Sequence, residues 1–512
     1  MSLWFSISLA ALALLFLKFV ATTVYRLTLH PLAKIPGPKL AAATWWYERY
    51  FDLYLGAQFF KQIGKLHEQY GPIVRINPNE VHVNDPDLID TVYPGGYKKV
   101  NKDPYLMSQF GMLHNTSFLS IDHDEHRLRR NALNRYFSKA AVAKLEDYIK
   151  QTCERFADKL LEYRNTGPLT ISAAYSSFTT DVIAEYCFGR TFNFLGRDRF
   201  LPNLQAANDA MGAMIPVLRL FPWLHTVMRW IPQERMLKMN PGMADWIGME
   251  NICKKSVQDA RARLNDEKIS KGYYNVIDEL LRSNLPEQEK TDERLLLEAT
   301  VLVNAATETT AWALSLCTFY IYHNREIMRK MRSELLAVAP DRNVPPLAKL
   351  EALPYLSAVI METLRHQFGP VSRLPRIFPV EATHLHSTYK GKPVDYVIPP
   401  GYVLSMTSIY IHMNPDLFPN PHAFLPERWL DGQGQRNREK EKYLLTFSKG
   451  TRICLGMNLA YAELYLCLAA VILRVGENIE LFETTIKDVT PEYDAFAMRP
   501  YKESKGIRVI IT

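Results

Sequence analysis

The sequence predicts a mainly α fold with a minor β region (α+β), preceded by one N-terminal transmembrane helix. Three observations predict it. From about Asp122 to Arg373, apolar residues recur at helical spacing with few interruptions. Strand-type alternation is confined to short stretches at 73–83, 374–411 and 507–511. Residues Leu3 to Tyr25 form an apolar run interrupted by a single formal charge, Lys18, long enough at about 1.5 Å per residue to cross a hydrocarbon core of about 30 Å.

Taken in order, the apolar run reads as a retained anchor; a cleaved signal and a buried core helix are the alternatives. Arg26, Lys34 and Lys39 follow it and no charged side chain precedes it, which puts the body in the cytosol. Pro31, Pro36 and Pro38 cannot continue a helix, so 26–44 reads as a stiff hinge. Residues 45–512 then form one domain. Within it, 45–70 reads as a helix with Trp46, Tyr50, Phe51 and Tyr54 on one face. A hairpin turns at Asn77-Pro78-Asn79. Leu295–Tyr322, apolar all round, must be central. Turns at Lys390–Pro393 and Pro399–Gly401 punctuate the later strands, and the last helix covers about 457–475.

Composition narrows the function. The 512 residues are 47% hydrophobic with a net charge of +7 and no basic run, which argues against nucleic acid as a partner. The six cysteines are scattered, with no CxxC pair, the pattern of a reduced compartment. Asn115-Thr116-Ser117 is a glycosylation sequon, silent if the body is cytosolic.

One cysteine differs from the rest. Phe447-Ser448-Lys449-Gly450-Thr451-Arg452-Ile453-Cys454-Leu455-Gly456 fits FxxGxRxCxG at every fixed position. A thiolate that ligates iron needs backbone N–H donors and shielding from water. Gly450 allows the chain to bend under a flat ring, and Gly456 allows close approach where the next helix begins. Phe447 can cover the sulfur and Arg452 can neutralise a carboxylate. A buried structural cysteine fits each residue alone but not the set.

Three further strings follow the same order. Glu362-Thr363-Leu364-Arg365 puts two charges on one helical face. Pro426-Glu427-Arg428-Trp429 follows it. Ala305-Ala306-Thr307-Glu308-Thr309-Thr310 interrupts the central helix with polar groups; hydroxyls bonded back to the preceding turn are the plain reading. With these motifs the chain resembles a cytochrome P-450, a haem-thiolate monooxygenase of the microsomal type, over nearly its whole length.

The resemblance implies haem b with Cys454 as axial thiolate and metal ligand. It implies a buried triad of Glu362, Arg365 and Arg428, with Trp429 where the family has Phe. It assigns Glu308 and Thr309 to proton delivery, with Ala306 where many members have Gly. Propionate contacts are implied for His126, Arg130, Arg376 and Arg452, His126 standing where the family usually has Trp. Electrons would come from NADPH through a separate reductase flavoprotein, since no GxGxxG follows a strand here; Arg129, Arg135, Lys139 and Lys449 are candidates to attract it. The implied location is the endoplasmic reticulum membrane, single-pass.

The substrate segments implied by analogy supply Met107, Phe110, Met112, Met214, Val301, Ala305, Val371 and Phe496. Their apolar, methionine-rich character suits an apolar small molecule, and the stretch 215–230 is a candidate to dip into lipid. The wording His30–Leu40 resembles filamentous-fungal pathway members such as trichodiene oxygenase. That implies a secondary metabolite, a terpenoid first and a polyketide or alkaloid second. A haem-thiolate isomerase, dehydratase or peroxide-user, and a non-enzymatic haem-binding membrane protein, are the competing functions; the Glu308-Thr309 pair argues for the NADPH- and O2-dependent oxidation.

Overall fold

Helix α1 (Leu3–Thr28) opens the computed structural model, which describes residues 3–264, 275–370 and 372–512. None of the apolar stretch of α1 is buried against the other described residues, as a candidate membrane anchor should be. The proline segment after it is not a free hinge. Leu32 and Ile35 are buried against Ile73 and Val81, and Arg75 Nη1 donates to Arg26 O at 2.8 Å. Two apolar residues among the prolines are enough to dock it.

The single helix expected over 45–70 is broken. A short helix (Trp46–Arg49) passes into a π turn (Tyr50–Tyr54), and α2 (Phe59–Tyr70) begins afresh. The break falls at Gly56 and Ala57, both with positive φ (72° and 62°), where a helix ends and glycine is at least cost. The hairpin forms as expected: β1 (Ile73–Asn77) pairs antiparallel with β2 (Glu80–Val83). Later strands complete a four-stranded sheet, with β2 parallel to Val403–Ser405 and that strand antiparallel to Arg376–Ile377.

The helical body carries the core. Its parts relevant to the site are α3 (His123–Asn134), α4 (Ile171–Phe188), α5 (Gln205–Leu220), α6 (Leu224–Arg229), α7 (Asp292–His323), α8 (Pro354–Gln367) and α9 (Met457–Ala470). The N-cap hydroxyl of Thr291 and the acidic pair Asp292-Glu293 start α7, matching the orphan N–H groups and the dipole there. It packs along α4, whose side chains are buried except Glu185. Fully buried residues such as Leu314, Leu316 and Phe319 each contribute roughly 1.5–3 kcal/mol. Helix α9 and the π turn after it are long and apolar enough to cross a membrane, yet are mostly buried; they are core. The C-terminal strand Arg508–Ile511 closes a three-stranded sheet with Leu169–Thr170 and Ile479–Leu481.

Candidate active site

The Cys454 loop lies between the sheet region and the start of α9. Cys454 N–H donates to Phe447 O at 2.9 Å, and Thr451 N–H to Pro94 O at 3.2 Å. Gly450 has φ +70°, and a Cβ there would sit 2.3 Å from Pro94 O, so only glycine fits. Gly456 behaves differently: among the described residues, nothing beyond its own chain neighbours lies within 4 Å of where its Cβ would be. Protein packing therefore does not require glycine there. The Cys454 thiol is solvent-accessible although burial among surrounding atoms pushes its pKa up. Both hold if the sulfur faces an interior space. The N–H groups of Gly456 and Met457, at the start of α9, and the charge of Arg130 act the other way and favour thiolate. The Phe447 ring is half-buried against Tyr461, centroids 5.3 Å apart.

Beside this loop, four cations converge. Arg452 Nη1 and Nη2 donate to Ser120 O (2.8 Å) and Ile121 O (2.9 Å), while its Nε is buried without a partner among the described residues. Burial and the charge of Arg376 bring its pKa down to about 9. Burial, then Arg452, Arg376 and Arg130, push Lys102 well below the ordinary lysine value. Burial likewise lowers Arg130 and Arg376. His126, on the same face of α3 as Arg130, is held neutral by burial and by Arg452, Lys102 and Arg130. Arg376 is buried, with Nη2 3.3 Å from Ser448 Oγ, not on the surface edge of a strand. The carboxylates acting on Arg130 and Arg452 are Glu298, Asp122 and Glu125, which leave the guanidinium-rich cluster facing an interior where a further anion would be favoured.

Behind the loop, Glu362 on α8 accepts five donors. Arg365 supplies Nη2 to Oε1 (2.7 Å) and Nε to Oε2 (2.9 Å). Arg428 Nε (3.1 Å) and Leu425 N–H (2.9 Å) complete Oε1, and Trp429 Nε1 (2.9 Å) completes Oε2. Burial alone would raise this carboxyl; the bonds and charge of Arg365 outweigh it and hold it well below the carboxylate range.

On α7, Ala305 and Thr309 are exposed while their helix is otherwise largely buried. Thr309 Oγ1 donates back to Ala305 O at 2.8 Å. Glu308 does not bond Thr309 among the described residues. Its Oε1 lies 2.5 Å from Arg499 Nη1 and its Oε2 3.3 Å from Asn208 Nδ2 on α5. The expected acid–alcohol pair is thus two separately bonded groups, because Arg499 offers the carboxylate a better partner.

A family model, described as cytochrome P450, matches residues 38–501. The chain belongs to the cytochrome P450 family. Cytochrome P450 monooxygenase tpcC of Cochliobolus heterostrophus is 38% identical, covering 96% of this chain and 95% of that protein. Tryptophan 6-hydroxylase fscE of Fusarium equiseti is 37% identical over 97% and 95%. N-acetyltryptophan 6-hydroxylase ivoC of Emericella nidulans is 36% identical over 98% and 96%. As a P450 the chain is a monooxygenase, of a family that uses cysteine-ligated haem, O2 and electrons from a redox partner. The residues present fit haem: an accessible thiol with N–H donors behind it, and a cluster of buried cations with an orphaned Nε for two carboxylates.

Substrate-lining expectations for this P450 divide. Phe110 and Phe496 meet edge to face at 4.9 Å, and Phe118, not foreseen, joins both at 5.8 and 6.0 Å. Met107 is buried in an apolar cluster with Leu106 and Leu119; Met112 is half-buried, Val301 buried and Met214 exposed. Val371 lies outside the described residues. Arg129 leaves the proposed reductase-facing set: it is buried and bonded to Glu289 at 2.7 Å and to Ser120. Arg135 and Lys139 are exposed, Lys139 pairing with Glu351, and Lys449 is half-buried. Sequence reading also missed Lys102, Asn208 and Arg499, which reach the site from segments without a motif. Trp429 carried a signal, since an indole N–H in place of Phe needs an acceptor.

Proposed function

We propose that this P450 catalyses NADPH- and O2-dependent oxidation of an apolar secondary metabolite at a haem whose axial ligand is Cys454. The observation that carries this reading is an accessible Cys454 thiol on a glycine-constrained loop, with N–H donors behind it and buried cations beside it. Haem, when bound, supplies the activation of dioxygen.

The chain's own residues do the rest. The N–H groups of Gly456 and Met457 stabilise the thiolate. Lys102, Arg130, Arg376, Arg452 and His126 hold the propionates. Glu362, Arg365 and Arg428 fix α8 to the segment before the cysteine loop. Thr309 Oγ1 hands a proton towards the interior space, resupplied through Glu308 once Arg499 and Asn208 release it. The Phe110, Phe118 and Phe496 rings orient the substrate and exclude water. The chain divides into an anchor (1–25), a docked proline segment (26–44) and a catalytic domain (45–512). It works at the endoplasmic reticulum membrane, taking electrons from an NADPH-dependent reductase through a face that includes Arg135, Lys139 and Lys449.

Among substrate classes, the aromatic trio and two relatives named for hydroxylating tryptophan or its acetylated form favour a planar aromatic, alkaloid-type molecule over the terpenoid expected from sequence. Deletion of the gene in its host tests this. An accumulating aromatic precursor lacking one oxygen supports it. An accumulating terpene moves the reading back to the terpenoid, and unchanged metabolites with NADPH-independent turnover refute the monooxygenase role.

A further inference from the structure

A second concavity lies away from the cysteine loop, between the turn Ser108–Leu113 and α6. It measures about 250 Å³ and is lined by Ser108, Gly111, His114, His225, Thr226 and Arg229, with no carboxylate. The P450 chemistry uses none of these residues.

The lining is built to donate. Arg229 Nη2 lies 2.6 Å from His114 Nδ1. Arginine only donates, so His114 Nδ1 accepts and its proton sits on Nε2, a second donor. Arg229 Nη2 also reaches Gly111 O and Met112 O at 3.4 Å, while its Nε and Nη1 have no partner among the described residues. His225 is buried, with Nε2 2.9 Å from Ser108 O and 3.2 Å from Gly111 N, and Nδ1 buried without a partner among the described residues. An anion in the concavity would meet the guanidinium, the His114 N–H and the Thr226 hydroxyl.

The surroundings say where that anion comes from. Trp223 and Trp230, at either end of α6, are 61% and 78% exposed, and Val227 between them is exposed too. Tryptophan concentrates at the bilayer interface, at headgroup depth, and α1 offers an apolar anchor on the same chain. We propose that this cavity binds a phosphate monoester, supplied by the headgroup of an acidic membrane lipid. Such a lipid would tie α6 to the Ser108–Leu113 turn, which already touches the cover of the substrate site through Phe110.

The test uses the full-length, haem-loaded protein in neutral detergent, with tryptophan fluorescence as readout at constant ionic strength. Dihexanoyl phosphatidic acid, dihexanoyl phosphatidylcholine and inorganic phosphate are titrated separately. The expected result is saturable binding of phosphatidic acid at least roughly tenfold tighter than phosphatidylcholine, weakened roughly tenfold in Arg229→Gln and in His114→Gln, with the carbon monoxide spectrum unchanged in both. Inorganic phosphate binding as tightly as phosphatidic acid, with the same loss in the variants, would support a phosphate site and overturn the lipid as its source. Equal binding of the two lipids, or variants that bind phosphatidic acid like the parent, would overturn the proposal.

Discussion

The two sides of the cysteine loop are built on different principles. On the proximal side, Glu362 accepts five hydrogen bonds in full burial, two from Arg365 on its own helix and three from the stretch 425–429. On the distal side, Glu308 has two side-chain partners, the Thr309 hydroxyl bonds back to its own helix, and Ala305 and Thr309 stay exposed. A buried carboxylate with several donors is costly to disturb, so the proximal side is scaffold. Groups with few partners around an interior space can rearrange, which is what the proposed proton delivery by Glu308 and Thr309 requires.

The contrast breaks most visibly at Glu362. Glu362→Ala leaves Arg365 buried without its partner, at a cost of about 3–5 kcal/mol, and is expected to yield no haem-loaded protein; normal loading of the purified variant would refute the scaffold role. Thr309→Ala should instead fold and load normally while product per NADPH falls roughly a hundredfold and peroxide rises. Unchanged coupling, measured as product against NADPH consumed, would remove Thr309 from proton delivery.

Trp429→Phe is a finer probe of the proximal side. It removes one bond to Glu362 and should cost about 1–3 kcal/mol while keeping haem, read as a lower melting temperature. An unchanged melting temperature would make the indole N–H irrelevant to the scaffold.

Acid should act through two buried histidines, His412 beside Arg365 on the proximal side and His67 on α2 beside the sheet. Burial holds His412 down to about 3, and its neighbours fix the neutral form: Nδ1 faces Arg365 O at 2.9 Å and Nε2 accepts Leu445 N–H at 2.8 Å. Burial holds His67 down to about 4. In the unfolded chain both titrate near 6.5. The unfolded state therefore takes up protons first as pH falls, so stability is full above about 6.5 and declines from there to about 4 for His67 and about 3 for His412, at most about 1.4 kcal/mol per pH unit for each histidine. A melting temperature that stays flat from pH 7 to pH 5 would contradict this.

What could be read from sequence followed the range of the contacts. The Cys454 loop places its key atoms within ten residues, and Glu362 and Arg365 lie one helical turn apart, so local spacing revealed both. Lys102 and Arg499 could not be found that way: each meets the site across the fold, Arg499 reaching Glu308 from 191 residues along the chain. Charge alone misread Arg129, since an arginine in a helix looks the same whether it faces solvent or Glu289. Gly56 was a visible stop signal inside the segment taken as one helix, and aromatic periodicity outweighed it.

The most direct test of the central claim is the reduced, carbon monoxide-bound spectrum of the full-length protein beside Cys454→Ser. The parent should show the long-wavelength Soret band of sulfur ligation and the variant should lose it. A variant that keeps that band, or a parent that never shows it, would contradict Cys454 as the haem ligand.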